Sequence, residues 1–240
     1  VYYVKGAIGY TSVTTVVHNK FAAFCAVPIA TKMIEHKDFK TAQRYAKYQV
    51  MAYGTKAETI SRITKSWEDY GAEQSGLGTA MHRFIELHMN GLPKEDDVYL
   101  TECPERQFYM KYAAEKAAAG LVPYRTEWML WDEELKITGS IDMIYYNPKQ
   151  DTFHMVDWKR SKEIKTTGFK KGTGCCAHLP DCNFSHYSLQ LNLYKYLLKK
   201  NYGIEIADMN IAVFHPNNDT YIEFSIKNMQ DLVHQLVHSF

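Results

Sequence analysis

No apolar run in this 240-residue sequence is long enough to span a membrane, and no charged leader followed by an apolar stretch marks a secretory signal. The chain opens at Val1 rather than a methionine and so reads as a fragment or a processed form, which leaves targeting open. Net charge is also nearly absent. The 28 Lys and Arg residues against 27 Asp and Glu leave +1, so no field of the whole protein gathers a polyanion, and any such contact must be a local patch. Cysteine is scarce: five residues, an odd number without framework spacing, exclude a disulfide scaffold and point to a reducing, intracellular compartment. What is abundant is apolar and aromatic matter, 46% and 14% of the chain, enough to bury one full core. One domain over residues 1–240 is expected, with a helical elaboration over 1–75, a core over 76–215 and a closing strand and helix over 216–240.

The stretch from Tyr124 to Lys162, YRTEWMLWDEELKITGSIDMIYYNPKQDTFHMVDWKRSK, consists of three apolar-rich runs and two polar turns, the pattern of a β-meander. Its second turn, Asn147-Pro148-Lys149-Gln150-Asp151, combines a preset proline φ with two residues that tolerate turn conformations. If Asn147 pairs with Thr152, the antiparallel register sets Asp142 opposite Asp157. Lys159, two residues on, projects from the same face as Asp157. Similar counting around Asp132-Glu133-Glu134 brings Glu127 near Ser140 and Asp142, unless a one-residue slip turns it away.

Carboxylates on neighbouring strands repel one another unless a cation lies between them, and oxygen ligation favours Mg2+ or Mn2+. A metal held there polarises a phosphodiester and acidifies bound water, while the lysine orients the nucleophile or neutralises developing charge. A surface salt-bridge ladder is the alternative. It fits poorly, because Asp157 lies between Phe153-His154-Met155-Val156 and Trp158, where an unpaired carboxylate would be costly.

The remainder reads mostly as scaffold. Tyr10 to Thr15 supplies hydroxyls that cap a helix over Val16–Phe24, after a short strand or hairpin within Val1–Tyr10. Helices are expected over Ala30–Tyr53 and Lys56–Tyr70, stopped by Gly54 and Gly71, and over Pro104–Ala119. In the run from Gly76 to Met89, Leu77, Met81, Phe84, Ile85 and His88 form a buried stripe, with His82 and Glu86 on its flank. Tyr187–Lys200 is amphipathic, and Gln190 and Tyr194 lie four apart on it. A hairpin over Met209–His215 and Tyr221–Ile226 and a helix over Asn228–His238 close the chain. Cys175, Cys176, His178 and Cys182 invite a zinc site, but adjacent cysteines lack knuckle spacing and no second pair is evident, so no stoichiometric zinc or iron is expected there. Lys159, Arg160, Lys162, Lys165, Lys170 and Lys171, against Glu163 alone, form a basic run beginning at the candidate catalytic lysine, which suits phosphates.

Taken in order, these elements resemble the αβββαβ core of the PD-(D/E)XK nuclease superfamily, and the motifs resemble its RecB-like exonuclease branch. They are Gly78-Thr79-Ala80-Met81-His82, the strand residue Glu127, Gly139-Ser140-Ile141-Asp142, Asp157-Trp158-Lys159, and Gln190 with Tyr194. The resemblance covers about Gly76 to His215. It implies an α/β (α+β) fold with a mixed central sheet, a helical N-terminal elaboration and a C-terminal hairpin plus helix. It also implies that His82, Asp142, Asp157 and the Trp158 carbonyl bind Mg2+ or Mn2+. Lys159 is implied as catalytic together with Glu127, Asp142, Asp157, Gln190 and Tyr194. Thr79, Arg160, Lys162, Lys165, Lys170 and Lys171 are expected to touch nucleic acid. No cysteine follows Tyr194, so the iron–sulfur cluster of some members is not expected. The expected activity is exonucleolytic hydrolysis of single-stranded DNA. An RNA or DNA endonuclease of the same fold and an inactive nucleic-acid-binding module are the alternatives.

Overall fold

The Asn147 side chain accepts the backbone N–H groups of Lys149 and Gln150 at 3.1 and 3.3 Å, and Asp151 takes φ 53°, so the turn closes through its own polar groups. In the computed structural model, which describes residues 2–4, 7–92 and 103–239, this turn joins two central strands of a seven-stranded sheet. The strands are β1 (Tyr2–Val4), β2 (Ala7–Ser12), β3 (Val122–Asp132), β4 (Ile137–Asn147), β5 (Thr152–Lys159), β6 (Ile206–Val213) and β7 (Ile222–Ser225). The helices are α1 (Val13–His18), α2 (Ala26–Ile34), α3 (Ala46–Gln49), α4 (Lys56–Met89), α5 (Pro104–Ala118), α6 (Asn183–Tyr202) and α7 (Gln230–Val237).

β3, β4 and β5 form the antiparallel meander, and the pairing of Asn147 with Thr152 sets the register expected from the turn. β6 lies parallel to β5, as a helical crossover through α6 allows, and β7 returns antiparallel on β6. β2 lies parallel to β4, pairing Thr11 with Ile137 and Ser12 with Thr138, and β1 pairs with β2. The fold is therefore the mixed α/β arrangement expected. Of the expected strand or hairpin within Val1–Tyr10, residues 1, 5 and 6 lie outside the described residues. Among the described residues no helix is long and apolar enough to cross a membrane.

The chain divides into two compact units, Ala23–Leu77 and the combination of Val1–Ala22 with Gly78–Phe240. Within the expected helical elaboration over residues 1–75, β2 joins the sheet by pairing with β4, and α1 follows it in the same unit. In the sheet-bearing unit, alternation along the strands feeds two apolar cores. Met155, Ile211 and Val213 face α1, α6 and α7, whereas Val156, Trp158, Ala212 and Phe214 face Met81 and Ile85 of α4 and Tyr109 and Tyr112 of α5.

Two helix expectations need correction. Gly71 does not end a helix: α4 runs through Gly71, Gly76 and Gly78, none of which has positive φ. A helical glycine costs about 1 kcal/mol relative to alanine, too little to break a segment of otherwise good helix formers. Conversely, Ala30–Tyr53 is not one helix. It breaks after Ile34, and the Gln49 side chain donates to the carbonyls of Phe39 and Ala42, at 2.7 and 3.2 Å, giving loop carbonyls the partners that helical amides would otherwise supply. Phe39, only 4% exposed, anchors that loop.

Candidate active site

The site forms where β5 leaves β4. The last pair of their ladder is Met143 with Val156, and β2 takes up the same edge of β4 only at Thr138. Asp142 lies in that fork, and its Oδ2 accepts the Trp158 backbone N–H at 2.7 Å, a donor the ladder no longer uses. Asp142 and Asp157 therefore stand opposite each other as the turn register required. Their strands diverge at that point, which opens room between them.

Three side chains converge on this opening. His82 Nδ1, from α4, lies 3.6 Å from Asp142 Oδ1 and 3.7 Å from Glu127 Oε1, and one ligand atom from each of the three residues fits within 4.8 Å. His82 Nε2 stands 3.1 Å from the Trp158 carbonyl. If Nε2 carries the proton and donates to that carbonyl, the Nδ1 lone pair faces two carboxylates, an arrangement relieved by a second proton or a metal cation. Glu127 reaches the cluster through a left-handed backbone, φ 43°, in the middle of β3, and its Oε2 accepts the Ser140 hydroxyl at 2.9 Å. Such a conformation within a strand is costly for a glutamate and concentrates at functional positions.

Asp157 and Lys159 form the second part. Lys159 Nζ lies 2.5 Å from Asp157 Oδ2 and 4.8 Å from the centre of the Tyr187 ring. The Lys159–Asp157 contact lacks hydrogen-bond geometry, and the buried Asp157 Oδ2 has no hydrogen-bond partner among the described residues. Burial and the neighbouring Asp157 charge push Asp142 up to about 7. Burial works against ionised Glu127 too, but hydrogen bonds from His82 and Ser140 outweigh it and lower that carboxyl. For His82, burial opposes the charged form, yet Asp142 and Glu127 raise it. Lys159 is desolvated as well, and Asp157 and Asp142 nevertheless hold it above the ordinary lysine value. Two acids with opposite shifts beside a histidine and a charged lysine mark a site built for cation and proton chemistry.

The other expected residues are placed as follows. Tyr194 packs its ring onto Gly139: a Cβ there would meet the ring at 2.7 Å, which is why the strand carries glycine three residues before Asp142. Gln190 is half-buried, four residues before Tyr194 on α6. Thr79 is exposed on α4, and Lys162, Lys165, Lys170 and Lys171 are exposed beyond β5. Arg160 differs: its Nε donates to Glu105 Oε1 at 2.7 Å, with side chains only 7% and 4% exposed, so it ties the end of β5 to α5. Composition gave no hint of that partner, since Glu105 reads as an ordinary acidic residue in a first helical turn. Tyr187, under the Lys159 ammonium, was also unmarked by any motif. The cysteine loop packs rather than joining the cluster: Cys176 is fully buried in the core beside α6, and Cys182 lies 3.3 Å from the Ser185 hydroxyl.

An imidazole nitrogen and carboxylate oxygens, with a backbone carbonyl nearby and the buried Asp157 carboxylate, paired with Lys159, alongside, suit a hard divalent cation.

A family model for the PD-(D/E)XK nuclease superfamily matches residues 41–236. A search of curated proteins finds no match. Among solved structures, SSO0001 is similar at 13% identity and a TM-score of 0.38, over 97% of this chain and 77% of that one. A candidate exonuclease from Eubacterium rectale is similar at 12% identity and a TM-score of 0.45, over 85% of this chain and 82% of that one. Likenesses this distant carry no argument about activity; the family match does, and it spans the helix, meander and crossover that build the site. The chain belongs to the PD-(D/E)XK nuclease superfamily, hydrolases that act on the phosphodiester bonds of nucleic acids with divalent metal ions.

Proposed function

We propose that this protein is a Mg2+- or Mn2+-dependent deoxyribonuclease of the RecB-like kind that degrades single-stranded DNA from an end. The observation that carries the reading is the convergence of His82, Glu127 and Asp142 beside the Asp157–Lys159 pair. His82, Asp142, Asp157 and the Trp158 carbonyl hold the metal in this reading, and Glu127 stands close enough to join or orient them. When bound, the ion supplies Lewis-acid polarisation of the phosphoryl oxygens and a more acidic water. Lys159 stays protonated beside Asp157 and neutralises charge that develops on the phosphate. Tyr187 confines the Lys159 ammonium from one side. Tyr194, locked against Gly139, fixes α6 over β4, and Gln190 on the same helix offers an amide to the substrate or the metal shell.

The lysines beyond β5 support a polyanionic substrate. Lys162, Lys165, Lys170 and Lys171 are exposed on one segment, while the net charge of the chain is only +1. Arg160 has no part in that contact, being held by Glu105.

The test compares end-labelled linear single-stranded DNA, its covalently closed circle, duplex DNA and RNA, each in Mg2+ and in Mn2+. Hydrolysis of the linear single strand and resistance of the circle are expected. Equal cutting of the circle would replace this reading with an endonuclease, and preferential cutting of RNA would replace the substrate.

A further inference from the structure

The segment that follows the catalytic lysine is held unusually firmly for a loop. At one end Lys165 donates its backbone N–H to Asn183 Oδ1 at 2.7 Å, and the Asn183 amide donates back to the Glu163 carbonyl at 2.8 Å. At the other end the Asp181 N–H donates to the Lys170 carbonyl at 2.8 Å, and Lys171 bridges to Pro180. Gly168 lies so close to Asp181 that a Cβ would fall 2.2 Å from its carbonyl oxygen, so only glycine lets the two strands of the loop meet there. Between these clamps stands Phe169, with a relative exposure of 113%, the most solvent-exposed large apolar side chain among the described residues. Nothing in folding is served by fixing a bare phenyl ring in water.

An open groove of about 740 Å3 runs beside this ring, with Lys165, Lys170, Thr166 and Thr167 along its walls. That volume is in the usual range for a ligand site, about 300–1,000 Å3. Acidic residues also reach it, but each has a partner: Asp181 is held by His186 at 3.0 Å, and Glu163 faces Lys165 at 3.8 Å. The groove is linked to the candidate catalytic centre through α6. Tyr187, whose ring lies under the Lys159 ammonium, is one helical turn, about 6 Å, beyond Asn183, to which the groove's Lys165 is bonded.

We infer that this groove is a binding site for single-stranded DNA, in which Phe169 stacks on a base and Lys165 and Lys170 hold the flanking phosphates. A fixed aromatic face between cationic side chains is how single strands are gripped without regard to sequence. A duplex keeps its base faces covered and gives the ring nothing to stack on, so Phe169 selects strands with unpaired bases near the site of cleavage. The inference rests on the nuclease reading above and names how that site would choose its strand.

The test measures binding of fluorescein-labelled oligothymidylate and of an abasic deoxyribose-phosphate oligomer of equal length, in EDTA so that no turnover intervenes. Phe169→Ala should weaken oligothymidylate binding by roughly 5- to 100-fold and leave the abasic oligomer unchanged, and Phe169→Trp should restore the difference. Lys165→Ala with Lys170→Ala should weaken both oligomers and lower the slope of log K against log salt by about 1.4, about 0.7 for each lost phosphate contact. Equal loss of both oligomers in Phe169→Ala, or no loss of either, overturns the stacking role. Competition by poly-glutamate as effective as that by oligothymidylate overturns nucleic-acid binding in favour of an acidic peptide. Hydrolysis by the unaltered protein is scored separately: no hydrolysis with Phe169-dependent binding refutes the nuclease reading alone, and hydrolysis with Phe169-independent binding refutes the groove alone.

Discussion

Replacing Asp142 by asparagine should stabilise this protein at pH 8 in EDTA while removing its response to metal. Asp142 has a side chain only 10% exposed, and burial together with the Asp157 charge carries its carboxyl from the ordinary 3.8 to about 7. The folded value lies above the unfolded one, so the acid contributes stability that is full below about pH 4 and is lost as pH rises through about 7. Across that whole window the loss amounts to about 4 kcal/mol, of which about 3 kcal/mol falls between pH 5 and pH 8. Asparagine keeps an acceptor for the Trp158 N–H and never ionises, so its contribution should be flat over the same range. The assay is urea unfolding followed by tryptophan fluorescence, with both proteins measured in EDTA at pH 5 and pH 8. The difference between variant and parent should move in favour of the variant by about 3 kcal/mol from the lower to the higher pH. Added Mg2+ or Mn2+ should then stabilise the parent at pH 8 and leave Asp142→Asn nearly unchanged. Parallel stability curves for the two proteins between pH 5 and pH 8 would refute the argument that Asp142 is held neutral by its surroundings.

Lys159→Ala and Asp157→Asn should each lower kcat on single-stranded DNA by at least about 100-fold with the circular dichroism spectrum unchanged, because the first removes the ammonium that neutralises charge on the reacting phosphate and the second removes a proposed ligand of the metal; near-parental turnover in either would displace the site. His82→Ala should weaken Mn2+ binding by about 10- to 100-fold in calorimetric titration, and unchanged affinity would make His82 a packing residue. Gly139→Ala should destabilise the fold by about 1–3 kcal/mol in urea, since its methyl group meets the Tyr194 ring, and the double variant Gly139→Ala/Tyr194→Ala should lose less than the sum of the two single losses. Glu105→Ala should cost about 3–5 kcal/mol by leaving the Arg160 guanidinium without this buried carboxylate, a loss read from the denaturant midpoint.

Local chemistry was enough to determine the meander. The Asn147–Asp151 turn sets a pairing register, period-two alternation then puts Lys159 on the face of Asp157, and counting alone brings Asp142 opposite it. Gly54 likewise marks a bend by its positive φ, which glycine adopts without strain. Tertiary structure decided the rest, wherever the outcome turned on which distant group stood nearby. Gly71, Gly76 and Gly78 could have ended a helix and did not, their small cost being outweighed by the segment around them. Arg160 reads as one more phosphate-binding cation until α5 brings Glu105 against it and buries both. Glu127 could have faced either side of the sheet, and a left-handed backbone at that one residue turns it toward His82. The pKa of Asp142 was equally beyond reach of the sequence, because it depends on the fork between β4 and β5, where the two strands leave Asp142 and Asp157 buried beside each other.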